Sequence, residues 1–263
     1  MLLKLGELRL TTVLSKLKKM NNRLLLFFFS LLLLFVTSFV QAKSIKILVF
    51  SKTNGFRHKS IPAAKEALIK MANQQSWVLT FTEDSLAFNE YKSLKQYKAV
   101  VFLMTTGKVL GTKQEEIFQK YIEKGGGLIT LHTGTDCEMN WDWYMNTIGG
   151  KFKNHPKQQQ AKFLVEDSTH PSTKSLPRTW MHFDEIYNFV SPVITSAHIL
   201  ISVDETSYSG GTMGNNHPIA WYDYSKKGRV FQTALGHTDN CYVDKDMLAH
   251  VIGGINWAMG IKH

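Results

Sequence analysis

The chain has 263 residues, a formal net charge of +10, 44% hydrophobic residues and two cysteines, Cys137 and Cys241. Residues 1–42 hold six Lys/Arg and one Glu, so without them the charge falls to +5. The remaining lysines are scattered with no dense arginine cluster, which argues against nucleic acid as a partner.

The first feature in chain order is "LLLFFFSLLLLFVTSFV" at 24–40, preceded by Lys16, Lys18, Lys19 and Arg23 and followed by Val40-Gln41-Ala42. A basic stretch, an apolar run and a small-residue cleavage site predict a secretory signal over 1–42, removed after Ala42. Met20 is an alternative start, with 1–19 upstream of it. A retained anchor is the rival reading, since about 17 apolar residues just span a bilayer. No cysteine stands at the cleavage point, which argues against a lipid anchor. The expected product is one mature domain, 43–263, periplasmic or secreted and free of stable membrane association. In an oxidising compartment its two cysteines could pair, and their spacing leaves that open.

From Ser44 onward strand and helix signals alternate. "IKILVFS" (45–51), "WVLTFTE" (77–83), "AVVFLMT" (99–105) and "LITLH" (128–132) are short apolar runs rich in branched residues, as strands buried on both faces require. Between them, 61–75 shows helical spacing with Ser60 as the expected N-cap and Pro62 in the first turn. A second helix is expected over 113–124, stopped by three glycines. This order predicts an α/β fold with a mainly parallel, doubly wound sheet. After Gly150 the pattern loosens into strands near 161–167, 197–204, 219–224 and 229–237, with a closing helix over about 245–259. The centre therefore reads as an insertion or sheet extension within a single domain.

Ligands of open parallel sheets bind beyond the carboxyl ends of the strands, so the residues just after each strand are the informative ones. Strand one delivers Arg57 and His58, strand three Thr106, strand four His132 and Asp136, and the last strand His237. Neither a Walker loop nor GxGxxG is present, so nucleotide binding has no support. The end of strand four is where a nucleophile elbow would lie, but Cys137 falls past the bend. His132 suits acid–base work with Asp136 to orient it; the plainer alternative is a strand-end histidine bonded to backbone. Trp141, Trp143 and Tyr144 are either sugar-stacking rings or core. His155, Glu185, Met213 and His217 complete the candidate contacts. The histidines and acids would suffice for a divalent metal, but no HxH or HExxH spacing appears, and no cofactor is predicted.

Eight stretches then occur in order: "VFSKTNGFRHKSI", "VVFLMTTGKVL", "GGGLITLHTGTD", "WDWY", "HP" at 155–156, "MHFDEIYNF", "YSGGTMGNNHPIAWYD" and "TALGHT". Together they resemble the ThuA-like (trehalose utilisation) family across about Ile45 to Gly260. The resemblance implies a flavodoxin-like three-layer sandwich of the class I glutamine amidotransferase-like superfamily, without the amidotransferase cysteine. With the signal expected over 1–42, it implies an exported protein of carbohydrate catabolism whose partner is a small carbohydrate: a disaccharide, glycoside or 3-keto-glycoside. His132, Asp136 and His237 are the expected catalytic groups. Arg57, His58, Thr106, Trp141, Trp143, Tyr144, His155, Glu185, Met213 and His217 are the expected substrate contacts. The alternative is a non-catalytic sugar-binding module. Thr133 and Gly134 replace alanines common in the family, which changes the lining of the turn and leaves His132 and Asp136 in place.

Overall fold

The computed structural model describes residues 44–190 and 196–261; the expected signal, 1–42, lies outside the described residues. Eleven strands form the framework: β1 Ile45–Phe50, β2 Trp77–Thr82, β3 Ala99–Leu103, β4 Gly127–Leu131, β5 Lys151–Asn154, β6 Gln159–Val165, β7 Thr179–Asp184, β8 Asn188–Val190, β9 His198–Asp204, β10 Pro218–Ser225 and β11 Gly228–Thr233. Nine of them make one sheet in the order β2-β1-β3-β4-β11-β10-β9-β6-β7, and β5 pairs with β8 separately. Strands β2, β1, β3, β4 and β11 run parallel. From β11 outward through β10, β9, β6 and β7 every pairing is antiparallel.

The parallel half is covered on both faces, and residue alternation along each strand explains how. In β1, Ile47 and Val49 join one buried cluster while Leu48 and Phe50 join another. Helices α1 (Ile61–Gln75) and α5 (Lys245–Ala258) cover the first face with Leu68, Met71, Val251 and Ile255. The second face is covered by α3 (Thr112–Glu123) through Phe118 and Ile122, by the short α2 (Tyr91–Leu94), and by α4 (Asp142–Ile148) through Tyr144 and Ile148. That is the expected three-layer, flavodoxin-like sandwich. Branched runs buried on both faces leave no other arrangement for these strands.

Two local expectations change. Ser60 stands at the N-terminus of α1 but its hydroxyl does not cap the helix; it donates instead to the His237 carbonyl at 2.6 Å, tying α1 to the end of β11. The central segment also holds three strands that hydrophobic pattern does not reveal, β5, β7 and β8. In β7 the alternation is inverted: His182 and Asp184 are buried while Met181 and Phe183 are exposed. A period-two reading that places apolar residues inside passes over such a strand. Cys137 and Cys241 are both buried free thiols.

Candidate functional site

The site is built at the end of β4. His132 follows the strand at φ 68°, ψ −78°, close to the rare and strained γ-turn region. Its N–H donates to the Thr233 carbonyl at 2.9 Å, so strain at one residue is set against pairing with β11. The chain then turns into a 3-10 helix, Thr133–Asp136. A side chain at Gly134 would lie 2.4 Å from the Thr130 side chain, so the turn requires glycine there. This is the elbow of the fold, with histidine at the bend. Cys137 lies beyond it, fully buried, and burial pushes its thiol well above the ordinary range.

His132 Nδ1 sits 2.7 Å from the Ala234 carbonyl, so Nδ1 carries the proton and Nε2 presents a lone pair. The orienting partner is thus a backbone carbonyl and not Asp136, which corrects the sequence expectation. Four groups converge on that Nε2: His58 Nε2 at 3.1 Å, His237 Nδ1 at 3.2 Å, the Tyr187 hydroxyl at 3.3 Å and Glu185 Oε2 at 3.5 Å. Glu185 Oε2 also lies 3.0 Å from His237 Nδ1, and Oε1 lies 3.1 Å from His155 Nδ1. His58 comes from the loop after β1, Glu185 and Tyr187 from the segment after β7, and His237 from the loop after β11. A cavity of about 270 Å³ opens above, lined by Phe56, His58, Asp136, Phe152, His155, Glu185, Tyr187 and His237. His132 is fully buried beneath it.

Charge at the site is set by burial and by neighbours. Burial, helped by His132 and His237, holds His58 down to about 3, so its ring is neutral. Burial alone would raise Glu185, but the neighbouring His132 and His237 imidazoles hold it well below the usual carboxylate range. Burial would lower His237, and the Glu185 carboxylate outweighs that and raises it. Asp136 is raised by burial against the opposing pull of His132 and His155. Among the described residues no hydrogen bond to its carboxylate is formed.

One neutral lone pair cannot satisfy four neighbours, but a cation among them can. His58 Nε2, His132 Nε2, His237 Nδ1 and Glu185 Oε2 all lie within 4.8 Å of one another. Bonds of about 2.0–2.1 Å in a tetrahedral site place donors roughly 3.3 Å apart, and four of the six separations, at 3.0–3.5 Å, suit that. Three imidazoles and a carboxylate are a borderline-soft donor set of the kind zinc and iron take. Short sequence spacing could not reveal it, since the donors come from four separate segments. A second group, His182, Asp184 and Cys241, is also close together. There burial and the Asp184 charge push the Cys241 thiol up to about 12. Asp184 is committed to backbone, accepting from the N–H groups of Glu185, Gly236 and His237 at 2.9, 2.7 and 3.0 Å.

The remaining predicted residues divide by place. His155 lines the cavity. His217 is buried, held between Glu205 Oε1 and the Tyr187 carbonyl at 2.7 Å each, and so braces the segment that carries Tyr187. Met213 donates its N–H to the same Glu205. Thr106 is buried and donates to the Phe56 carbonyl at 2.9 Å, shaping the loop that carries His58. Arg57 points to Glu83 in a two-pronged pair at 2.9 and 2.8 Å, outside the cavity lining. Tyr144 is a core residue whose hydroxyl donates to Gly134, so it braces the elbow and offers no face to a sugar. Trp143 packs half-buried on the second core cluster, and Trp141 lines a different cavity. Sequence reasoning did not single out Phe56 or Phe152, and reached Asp184 and Tyr187 only as part of the acidic-aromatic run "HFDEIYNF". The signal for the last two was their place beside Glu185 in "DEIY".

Residues 46–258 match the ThuA family, described as trehalose utilisation. No curated protein matches the chain. Among solved structures, a ThuA-like protein from Bacteroides uniformis superposes with a TM-score of 0.70 at 21% identity, covering 84% of this chain and 94% of that one. A ThuA-like protein from Parabacteroides merdae gives 0.69 at 19% identity, covering 82% and 90%. At these identities the two structures speak for the fold. The family match spans most of the chain, which therefore belongs to the ThuA, trehalose-utilisation family, with a role in carbohydrate metabolism.

Proposed function

We propose that this protein is an exported enzyme acting on a disaccharide, glycoside or 3-keto-glycoside by acid–base chemistry, without a cysteine nucleophile. The observation that carries the reading is the convergence of His58, His132, His237 and Glu185 beneath a cavity walled by Phe56, Phe152 and Tyr187. Apolar rings with a few directed polar groups are what a sugar ring meets in a binding pocket. At about 270 Å³ the cavity is below the usual range of roughly 300–1,000 Å³ for small-molecule pockets, so it takes one ring.

The His58, His132, His237 and Glu185 cluster is read as the holder of a divalent cation, which would polarise a substrate carbonyl or hydroxyl oxygen. Asp136 faces the same cavity with a raised proton affinity and no hydrogen-bond partner for its carboxylate among the described residues, so it is the group assigned to move a proton. In a 3-keto sugar the C–H beside the carbonyl is acidic, and its removal starts elimination or isomerisation. His155, paired with Glu185, is assigned to a substrate hydroxyl. Export is supported by the layout of residues 1–42.

The test is incubation of the purified protein with a panel of glycosides and their 3-keto forms, read by mass spectrometry, with elemental analysis of the same sample. The expected outcome is conversion of a keto-glycoside and about one equivalent of a divalent metal. Binding without conversion at stoichiometric protein would contradict the enzyme reading, and metal well below one equivalent after supplementation would contradict the cation.

A further inference from the structure

The second group of donors, outside the cavity lining, comes from two places in the fold. His182 and Asp184 stand at the end of β7, and Cys241 on a 3-10 turn, Asp239–Tyr242, that follows β11. All three are buried. Cys241 Sγ lies 3.5 Å from His182 Nε2 and 3.5 Å from Asp184 Oδ2, and those two atoms are 3.7 Å apart. Bonds of about 2.3 Å to sulfur and about 2.0–2.1 Å to nitrogen or oxygen, at tetrahedral angles, put sulfur about 3.5 Å from each partner and the other two about 3.3 Å apart. Both sulfur separations meet that, and the third asks for an angle opened to about 130°. A weak fourth donor permits such an opening, and the Thr238 hydroxyl stands 3.3 Å from the same sulfur.

Asp184 keeps room for a cation. A carboxylate offers about four lone-pair positions, and three are taken: Oδ1 accepts from the Glu185 and His237 N–H groups, Oδ2 from that of Gly236. The fourth belongs to Oδ2, the atom beside Cys241 and His182. Hydrogen bonding alone fills the group less well. At 3.7 Å, His182 Nε2 is too far from Oδ2 for a hydrogen bond. Yet His182 is the one basic side chain within 4.0 Å of this buried carboxylate among the described residues. A divalent cation would meet all three donors at once and offset the buried charge.

We propose that His182, Asp184 and Cys241 form a structural zinc site. A thiolate, an imidazole and a carboxylate are a borderline-soft set, whereas calcium and magnesium take oxygen. Zinc binding releases the Cys241 thiol proton to solvent. The position gives the site its role. Asp184 directly precedes Glu185, and Cys241 follows His237 by four residues, so zinc here locks together the two segments that carry those side chains to the cavity. The site depends neither on the carbohydrate reading nor on a cation in the cavity.

The test is titration of the purified protein, freed of metal by a chelator, with cobalt(II). Cobalt takes zinc's donors and, bound to a thiolate, gives an intense near-ultraviolet charge-transfer band. The histidine–glutamate cluster has no sulfur, so the band separates this site from that one. Wild type is expected to develop the band and to lose it when zinc is added. Cys241→Ser abolishes it, and His182→Ala weakens cobalt binding roughly tenfold or more, since losing even an outer-shell partner costs that much. Cys137→Ser and His58→Ala retain it. Absence of the band from folded wild type overturns the site, whether or not the variants fold. A band that survives Cys241→Ser, or that His182→Ala leaves unchanged, overturns it equally.

Discussion

At the scale of single residues, His132 is the point where backbone and chemistry meet. Its φ of 68° is costly for any residue with a side chain, about 1–3 kcal/mol, and the hydrogen bonds to Thr233 and Ala234 help hold it there. Two substitutions separate the terms. His132→Ala loses the imidazole and keeps the strain; His132→Gly loses the imidazole and relieves the strain. In thermal melts the glycine variant is expected to be the more stable by about 1 kcal/mol, reversing the usual glycine penalty. An alanine variant that melts higher would show that the bend is not strained. His58, His132, Glu185 and His237 were all legible in the sequence, because each lies at or near a strand end. Their common centre was not, since it depends on the Ala234 carbonyl and on side-chain directions that spacing does not encode. For the same reason Asp136 could be placed near His132 but its role as orienter could not be checked.

At the scale of elements, Asp184 fastens two strands that lie far apart in the sheet order. β7 is an edge strand and β11 is central, with β10, β9 and β6 between them. Yet the Asp184 carboxylate, fully buried, accepts from Glu185 on its own segment and from Gly236 and His237 after β11. Gly236 presents its N–H at φ 118°, a conformation open to glycine. Asp184→Ala leaves three N–H groups without their acceptor, and a loss of about 3 kcal/mol is expected in denaturant unfolding. Asp184→Asn keeps one acceptor oxygen and loses less. A change within a few tenths of a kcal/mol for alanine would show that the carboxylate is not the fastener. The inverted burial at the end of β7 hid this role, because two of its three inward positions, His182 and Asp184, carry polar groups. By contrast β1, β3 and β4 were legible as buried parallel strands from their apolar runs alone.

At the scale of the whole molecule, buried histidines set the response to acid. His170 and His250 are both held down to about 4 by burial, each with Nε2 lacking a partner among the described residues. Their ordinary value is about 6.5, so between roughly pH 4 and 6.5 the unfolded chain binds more protons than the folded one. Stability therefore falls as pH drops through 6.5. His237, raised by Glu185, works in the opposite sense, its contribution present in acid and lost as pH rises through its folded value. His58, held down to about 3, adds to His170 and His250; the three downward shifts dominate, and the melting temperature is expected to fall steadily from pH 7.5 to pH 5. A flat or rising profile would contradict this. The parallel half of the fold, with its helices on both faces, was readable from periodicity. The antiparallel extension was readable only in part, because β5 and β8 are short and β7 is inverted.

The central claim is that the histidine–glutamate cluster is where the chemistry happens. Its most direct test is kcat/KM for a 3-keto-disaccharide, compared between wild type and His237→Ala, whose side chain faces the cavity and pairs with Glu185. A loss of roughly 10²–10⁴-fold is predicted, as for removal of a positioned acid–base or ligand group. Turnover equal to wild type would contradict the account.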